Sequence, residues 1–381
     1  MNALVTDAEL RNAVAGIRGL GRGGFPVVAV AAGRAAAGFR SRYVVARAGA
    51  RSVLDDPAGF ASDVAEAARR HAPAIVYPGR EESLGVLLEA RAALPEGVTL
   101  PYPPTPVVRA LRKKPDLEAA ANRIGMGVPR TLAIGTAAEL ARRPPPLPCV
   151  LKETEPGGSV PLTTVASTRD ELDAFVQALP PEQPLLAQEL ARGPLVSLAL
   201  VLDRSGRAVG AFQQVALRTW PRAAGGTSLG RSVALDPELA ERSTELLALH
   251  GYWGLAQLQF IGSGRGPLLI DINPRFYGTL PLALACGINL SALWHAVATG
   301  GDAELPAAGP YRIGMTYRWL EADASAALQG HGSRLLPLRR SDAGAMWDPA
   351  DPAPSALLAA AAFGARAARV SRRVAARLSM G

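Results

Sequence analysis

The residues best placed to do chemistry lie at the end of a hairpin. Gly254–Ile261 and Pro267–Ile272 are alternating apolar segments joined by the Gly-Ser-Gly-Arg-Gly turn at 262–266, which predicts two antiparallel strands. Side chains alternate along a strand, so Asp271 and Asn273 share a face. A turn that pairs residue 261 with 267 puts Gln259 on that face, diagonally opposite Asp271. Few, oxygen-bearing ligands suit a hard cation such as Mg²⁺, which fills its remaining positions with phosphate and water. Arg275, two residues beyond Asn273, is placed to neutralise charge on a transferring phosphoryl group. The plain alternative is a solvated hairpin end with an Asx turn before Pro274.

The lysines point to the same chemistry. Of 41 basic residues only Lys113, Lys114 and Lys152 are lysine, as expected where arginine has replaced lysine wherever a planar fork will serve. Lysine remains useful as a compact point charge on a flexible stem, which makes these three candidates for a phosphate site. Lys152 ends an apolar strand, and Gly157-Gly158-Ser159 follows five residues on. Consecutive glycines expose backbone N–H groups that can cradle an anion, and Ser159 adds a hydroxyl donor. The lysine precedes the loop and no helix follows at once, so this is not the Walker arrangement. A simple hairpin turn remains the alternative.

Other features carry less. Arg218 and Arg231 flank the Gly225–Ser228 stretch, where they could clamp a carboxylate or be ordinary surface arginines. His250 and His295 sit in apolar helices and are expected to be structural. Cys149 and Cys286, far apart, form neither a disulfide framework nor a metal knuckle. From residue 331 onward, eight arginines against three aspartates account for five of the eight net positive charges. The rest of the chain is only mildly basic and lacks the aromatic-interleaved basic stripes of a nucleic-acid binder. No apolar run reaches the roughly 18–20 residues of a membrane span, and no secretory leader is evident, so a cytoplasmic location is expected.

Elements must position these residues. Strand and helix patterns alternate through the first hundred residues: strands at Ala3–Thr6, Pro26–Ala31, Tyr43–Ala46 and Ala74–Tyr77, and helices from Asp7 to Leu20, Asp56 to Arg70 and Glu82 to Leu94. Repeated βα units imply a parallel sheet covered by helices. Pro101–Pro106 marks a boundary, and a single helix is expected over Val107–Ile124. From Cys149–Lys152 the pattern becomes mixed α+β, with strands at Leu185–Glu189, Leu195–Leu202 and Ala208–Ala216. Pro349–Gly381, rich in alanine and arginine, is expected to be helical.

Taken in order, these motifs resemble those of the ATP-grasp superfamily: a lysine, a helix and Gly125–Pro129; Lys152-x4-Gly157-Gly158-Ser159; Gln188-Glu189-Leu190-x2-Gly193; a Gln259-Phe260 strand; Asp271-x-Asn273-Pro274-Arg275. Within it they are most similar to carboxylate–amine ligases with a carbamoyl-phosphate-synthetase-like nucleotide domain, over residues 1 to about 355. The resemblance implies α/β plus α+β architecture. A Rossmann-like pre-ATP-grasp domain (1–104) would precede an ATP-grasp fold in two subdomains (105–185 and 186–340), with a helical tail at 341–381.

It implies ATP and Mg²⁺, or Mn²⁺ in its place. Lys114 and Lys152 would bind phosphates under the 157–159 loop, and Gln188, Glu189 and Leu190 would form the adenine hinge. Gln259, Asp271 and Asn273 would hold the metal, with Arg275 assisting transfer. Arg218, Arg231, Gly226 and Gly278 would face the substrates, a small carboxylate activated as an acyl phosphate and an amine that displaces phosphate. A homodimer and peripheral membrane contact through the basic tail are further expectations. The chain departs from the pattern at Lys113, where Asp is common, and at Leu195-Val196, where a ribose-binding acid is expected. It also departs at Gln259 and Asp271, where Glu is usual. Two alternatives stay open: a catalytically degenerate ATP-binding regulatory module, and a membrane-surface interaction protein acting through the tail.

Overall fold

The computed structural model describes residues 1–154, 163–221, 224–264, 266–301, 305, 309–328 and 341–356. The expected glycine loop Gly157-Gly158-Ser159 and the arginine-rich segment from residue 357 lie outside the described residues.

The first sheet holds β1 (Asn2–Val5), β2 (Val27–Ala31), β3 (Val44–Gly49), β4 (Ala74–Tyr77) and β5 (Val98–Thr99), all parallel in the order β3-β2-β1-β4-β5. β2 and β4 are buried along their whole length, as apolar strands covered on both faces must be. The covering helices include α1 (Arg11–Arg22), α2 (Pro57–Arg70) and α3 (Glu81–Glu89). α2 starts as expected: Asp56 accepts from the Gly59 N–H at 2.8 Å, and Pro57 fixes the first turn. Asp7, where the first helix was expected to start, does something else. It takes a left-handed φ of 55° and accepts from Gly79 N at 3.1 Å and Ser83 Oγ at 2.9 Å, joining the ends of β1 and β4. α1 then begins four residues later, without a side-chain cap.

The helix expected over Val107–Ile124 is two helices, α4 (Thr105–Arg112) and α5 (Lys114–Arg123), broken at an extended Lys113. Pro115 explains the break: it has no N–H to donate within a continuing helix, and it fits only the first turn of a new one.

The second sheet is antiparallel where strands meet: β6 (Thr131–Thr136), β7 (Cys149–Glu153), β8 (Thr163–Ala166) and β9 (Pro184–Glu189), in the order β6-β9-β7-β8. It has a small core of its own around Cys149, Leu151, Leu172 and Leu185. The expected boundary at 185/186 falls inside β9.

The third sheet runs β14-β13-β10-β11-β12-β15-β16. Its strands are β10 (Leu195–Leu202), β11 (Ala208–Trp220), β12 (Gly226–Ser232), β13 (Gly254–Ser263), β14 (Gly266–Asn273), β15 (Thr316–Arg318) and β16 (Ala343–Gly344). First and third sheets share one continuous core. At its centre Tyr77, Phe276 and Trp294 stack or meet edge-on, with centroids 4.8–5.6 Å apart. α1 lies directly on Phe276: a Cβ at Gly16 would fall 2.4 Å from the ring.

Of the tail expected at 341–381, Ala343–Gly344 form β16 beside β15, residues 353–356 are helical, and the segment between them packs against α1 and the stretch before β3. Asp351, 1% exposed, accepts from Arg18 Nε at 2.9 Å, Ser41 Oγ at 2.8 Å and Arg42 N at 2.9 Å.

Candidate active site

A cleft of about 530 Å³ opens where the three sheets meet, and β14 forms its floor. The hairpin register differs from the simple expectation. The turn pairs Gly262 with Pro267, and a bulge then adds Ile270 to β14, so that Gln259 stands directly opposite Asp271 and Gln257 opposite Asn273. The extra residue has a second effect. The Ile270 carbonyl, outside the pairing register, accepts from Lys152 Nζ at 3.2 Å. Asp271, beside it, forms an ion pair with Lys114.

The two lysines reach this point from different elements. Lys152 extends from the end of β7 in the second sheet and is 9% exposed. Lys114 opens α5, aimed by the break at Lys113 and held by a hydrogen bond from its own N–H to Thr154 O at 2.9 Å. Lys113 turns outward to Asp116 at 3.5 Å. Burial, and then the neighbouring Lys114 ammonium, push the Lys152 ammonium down to about 8, with Asp271 opposing the shift. Burial alone would raise the Asp271 carboxyl, but Lys114, Lys152 and Arg275 outweigh it and hold the group below the ordinary range.

A hydrogen-bonded chain continues from the carboxylate. Asn273 Nδ2 donates to Asp271 Oδ2 at 3.3 Å, and Arg275 Nη2 donates to Asn273 Oδ1 at 2.9 Å. Arg275 Nε then donates to Glu81 Oε2 at 2.8 Å, and Arg112 Nε donates to Glu81 Oε1 at 2.5 Å. Burial would raise the Glu81 carboxyl, but Arg275 and Arg112 together hold it low. Glu81, Glu82 and Arg112 were not anticipated. A clue was present: Glu81-Glu82 follows Pro78-Gly79 at the end of β4, beside β1, where the strand order reverses and ligand crevices open in such sheets.

At the far end, Gln188, Glu189 and Leu190 line the cleft where β9 leaves the second sheet. Glu189 N donates to Arg130 O at 2.9 Å, and Gln188 Nε2 reaches Pro129 O at 3.4 Å. The chain then passes so close to the hairpin that Gly193, with φ +151°, cannot carry a side chain: a Cβ would sit 1.9 Å from Gly262 O. Leu195, where an acid was expected, is buried and lines the cleft.

The candidate substrate residues divide. Gly226 lines the cleft at the start of β12, opposite Trp220. Arg218 is instead committed to an ion pair with Asp323, and Arg231 points outward from β12. Gly278 lies under the guanidinium of Arg11, and its carbonyl accepts from Tyr317 Oη at 2.9 Å. His295 is structural, bonded through Nδ1 to Tyr77 Oη at 2.9 Å.

Residues 184–322 match the family described as ATP-grasp in the biosynthetic pathway with Ter operon. No curated protein matches the chain by sequence. Among solved structures, the biotin carboxylase domain of Hydrogenobacter thermophilus 2-oxoglutarate carboxylase, in complex with MgADP, ADP and bicarbonate, is 17% identical. It superimposes with a TM-score of 0.60 over 83% of this chain and 73% of that one. The L-amino acid ligase of Bacillus licheniformis is 15% identical, with a TM-score of 0.58 over 81% and 78%. Biotin carboxylase of Campylobacter jejuni, in a β-γ-ATP complex, is 16% identical, with a TM-score of 0.60 over 83% and 74%. The family match is confined to residues 184–322, and over most of its length the chain shares the fold of these solved structures.

Proposed function

We propose that this protein is an ATP-dependent carboxylate–amine ligase. The observation that carries the reading is the convergence of Lys114 and Lys152 on the bulged strand at Ile270–Asp271, with Gln259, Asn273 and Arg275 around the same point. Two ammonium groups from separate elements facing one carboxylate form a place for a polyphosphate. The neighbouring Gln188–Leu190 edge is suited to the base, and similar structures described in complexes with MgADP or β-γ-ATP support a nucleotide site.

The donor set also fits Mg²⁺, with Mn²⁺ as a substitute. Gln259, Asp271 and Asn273 supply hard oxygens but only one carboxylate, and no cluster of three or more His, Cys, Asp or Glu capable of holding a metal occurs among the described residues. Such a set is too weak for a self-sufficient cage and suits a cation that arrives with phosphate oxygens. Held at Gln259, Asp271 and Asn273, such a cation would supply positive charge to offset that of the phosphates. The protein's own part is positioning. Lys114 and Lys152 hold the phosphates, Arg275 is fixed by Glu81 and Asn273 toward the transferring group, and the walls exclude water. A substrate carboxylate would attack the γ-phosphorus, forming an acyl phosphate and releasing ADP. An amine would then displace inorganic phosphate to give an amide. No nucleophilic side chain is required.

A homodimer fits this reading, and no helix among the described residues is long and apolar enough to cross a membrane. Leu195 supports a second reading, a nucleotide-binding module without turnover, because it removes the expected ribose partner. Phosphate release across paired pools of carboxylates and amines, with MgADP binding measured calorimetrically, separates the two. Binding without release in any pool would favour the module, and absence of MgADP binding would sink both.

A further inference from the structure

Arg11 is the outlier among the inward-facing arginines. Arg18 has Asp351, Arg112 and Arg275 share Glu81, and Arg218 has Asp323. Arg11 lies flat on the Trp319 ring, its Cζ 3.3 Å from the centroid, with Nη1 buried and without a hydrogen-bond partner. Burial holds the group below the ordinary arginine range, and Tyr317 and Glu321 oppose that shift. Among the described residues no carboxylate forms an ion pair with this guanidinium, an arrangement that is costly unless an anion completes it.

Its surroundings are hydrogen-bonded to Arg275, which lines the cleft. Asn12, the next residue, donates through Nδ2 to Phe276 O at 3.1 Å, and Arg275 Nη1 donates to that same carbonyl at 3.1 Å. Two residues further on, Gly278 faces the guanidinium. A Cβ there would lie 3.0 Å from Nη2, 3.3 Å from Cζ and 3.4 Å from Nε. The missing side chain therefore leaves clear the Nε–Nη2 edge, the fork that a carboxylate engages with two parallel hydrogen bonds.

We propose that the Nε–Nη2 edge of Arg11, kept open by Gly278, binds a spectator carboxylate of a substrate: one that is neither phosphorylated nor consumed. This rests on the ligase reading and narrows it, because one of the two substrates must then carry an additional carboxylate. That substrate is an amino acid serving as the amine, or a dicarboxylate serving as the acyl donor.

Calorimetric titration of the full chain with two probe pairs, each with and without MgADP, tests it. The pairs are L-alanine against L-alaninamide, and succinate against monomethyl succinate. Wild type should bind the fully charged member of one pair at least tenfold tighter than its capped partner, and the responding pair identifies which substrate carries the group. Arg11→Gln should erase that preference, and Arg11→Lys should retain only part of it. Gly278→Ala, which keeps the guanidinium but crowds its Nε–Nη2 edge, should also erase it, so a misfolded Arg11 variant does not decide the matter. Undiminished preference in Arg11→Gln and Gly278→Ala, or no preference in wild type for either pair, overturns the proposal. Titration with MgADP alone is read separately: its failure in wild type removes the ligase reading, whereas intact MgADP binding with no carboxylate preference removes only the assignment of Arg11.

Discussion

Asp351 and Asp271 both gather basic side chains, yet they are finished differently. Asp351 is 1% exposed, and Arg18, Ser41 and the Arg42 N–H fill both of its oxygens at 2.8–2.9 Å. Asp271 keeps 32% of its side chain accessible and meets Lys114 and the longer 3.3 Å bond from Asn273. Lys152 and Arg275 stand close enough to depress it further. The first carboxylate has its hydrogen-bonding capacity used up by the fold and can only hold segments together. The second leaves lone pairs open and draws more cationic groups than one carboxylate needs, which is the condition for receiving a phosphate–metal unit. Having an ion pair does not mark a site. Incomplete satisfaction does.

The contrast can be broken from either side. The largest effect is expected at the open carboxylate's partners: Lys152→Ala or Asn273→Ala should lower turnover at least a thousandfold, about 4 kcal/mol of transition-state stabilisation, with the denaturation midpoint little changed. Near-normal phosphate release by either variant would remove these residues from the site. At the closed carboxylate the outcome should be reversed. Asp351→Ala leaves the buried Arg18 without its main counter-ion and should cost about 3 kcal/mol in urea unfolding, while turnover per folded molecule stays close to wild type. A stable Asp351→Ala protein would show that the Met346 and Asp351 carbonyls suffice for Arg18.

The smallest effect concerns protons. Lys152 in the folded protein titrates at about 8, well under its ordinary 10.5. Between these values the unfolded chain binds more protons than the folded one, so Lys152 makes stability rise with pH across that window and leaves it flat below. Nucleotide binding has the opposite sign, because phosphates favour the charged ammonium. MgADP titrated at pH 8 in buffers of differing ionisation enthalpy should show uptake of up to about half a proton, and affinity should decline above pH 8 by at most about tenfold per unit. Uptake unchanged in Lys152→Ala would assign the proton to another group.

How much of this was legible in the sequence follows from the range of the interactions. The parallel strands, the β13–β14 hairpin and the two cleft lysines rest on local patterns, and the structure places Lys114, Lys152, Gln259, Asp271, Asn273 and Arg275 along one cleft. The break at Lys113 was also local, since Pro115 announces it, but amphipathic periodicity on both sides concealed it. The bulge at Ile270 was not legible. Turn chemistry sets the register only near the turn, and packing further along β14 decides where the extra residue goes. Glu81 and Asp351 were missed for a different reason: their partners lie 194 residues away, at Arg275, and 333 away, at Arg18. Alanine- and arginine-rich composition after residue 349 suggested a helix, and residues 353–356 are helical, but composition gave no sign that Asp348 and Asp351 are placed by arginines of α1.

That 333-residue span has a consequence for the order in which the chain is made. Arg18 leaves the ribosome long before its acceptor exists. At about 5–20 residues per second the interval is roughly 20–70 s, ample time for the first sheet to collapse. Throughout it, one face of α1 carries a guanidinium that the finished protein keeps out of water. The N-terminal unit is thus translated with an unfilled socket, which only the arrival of residues 346–355 closes.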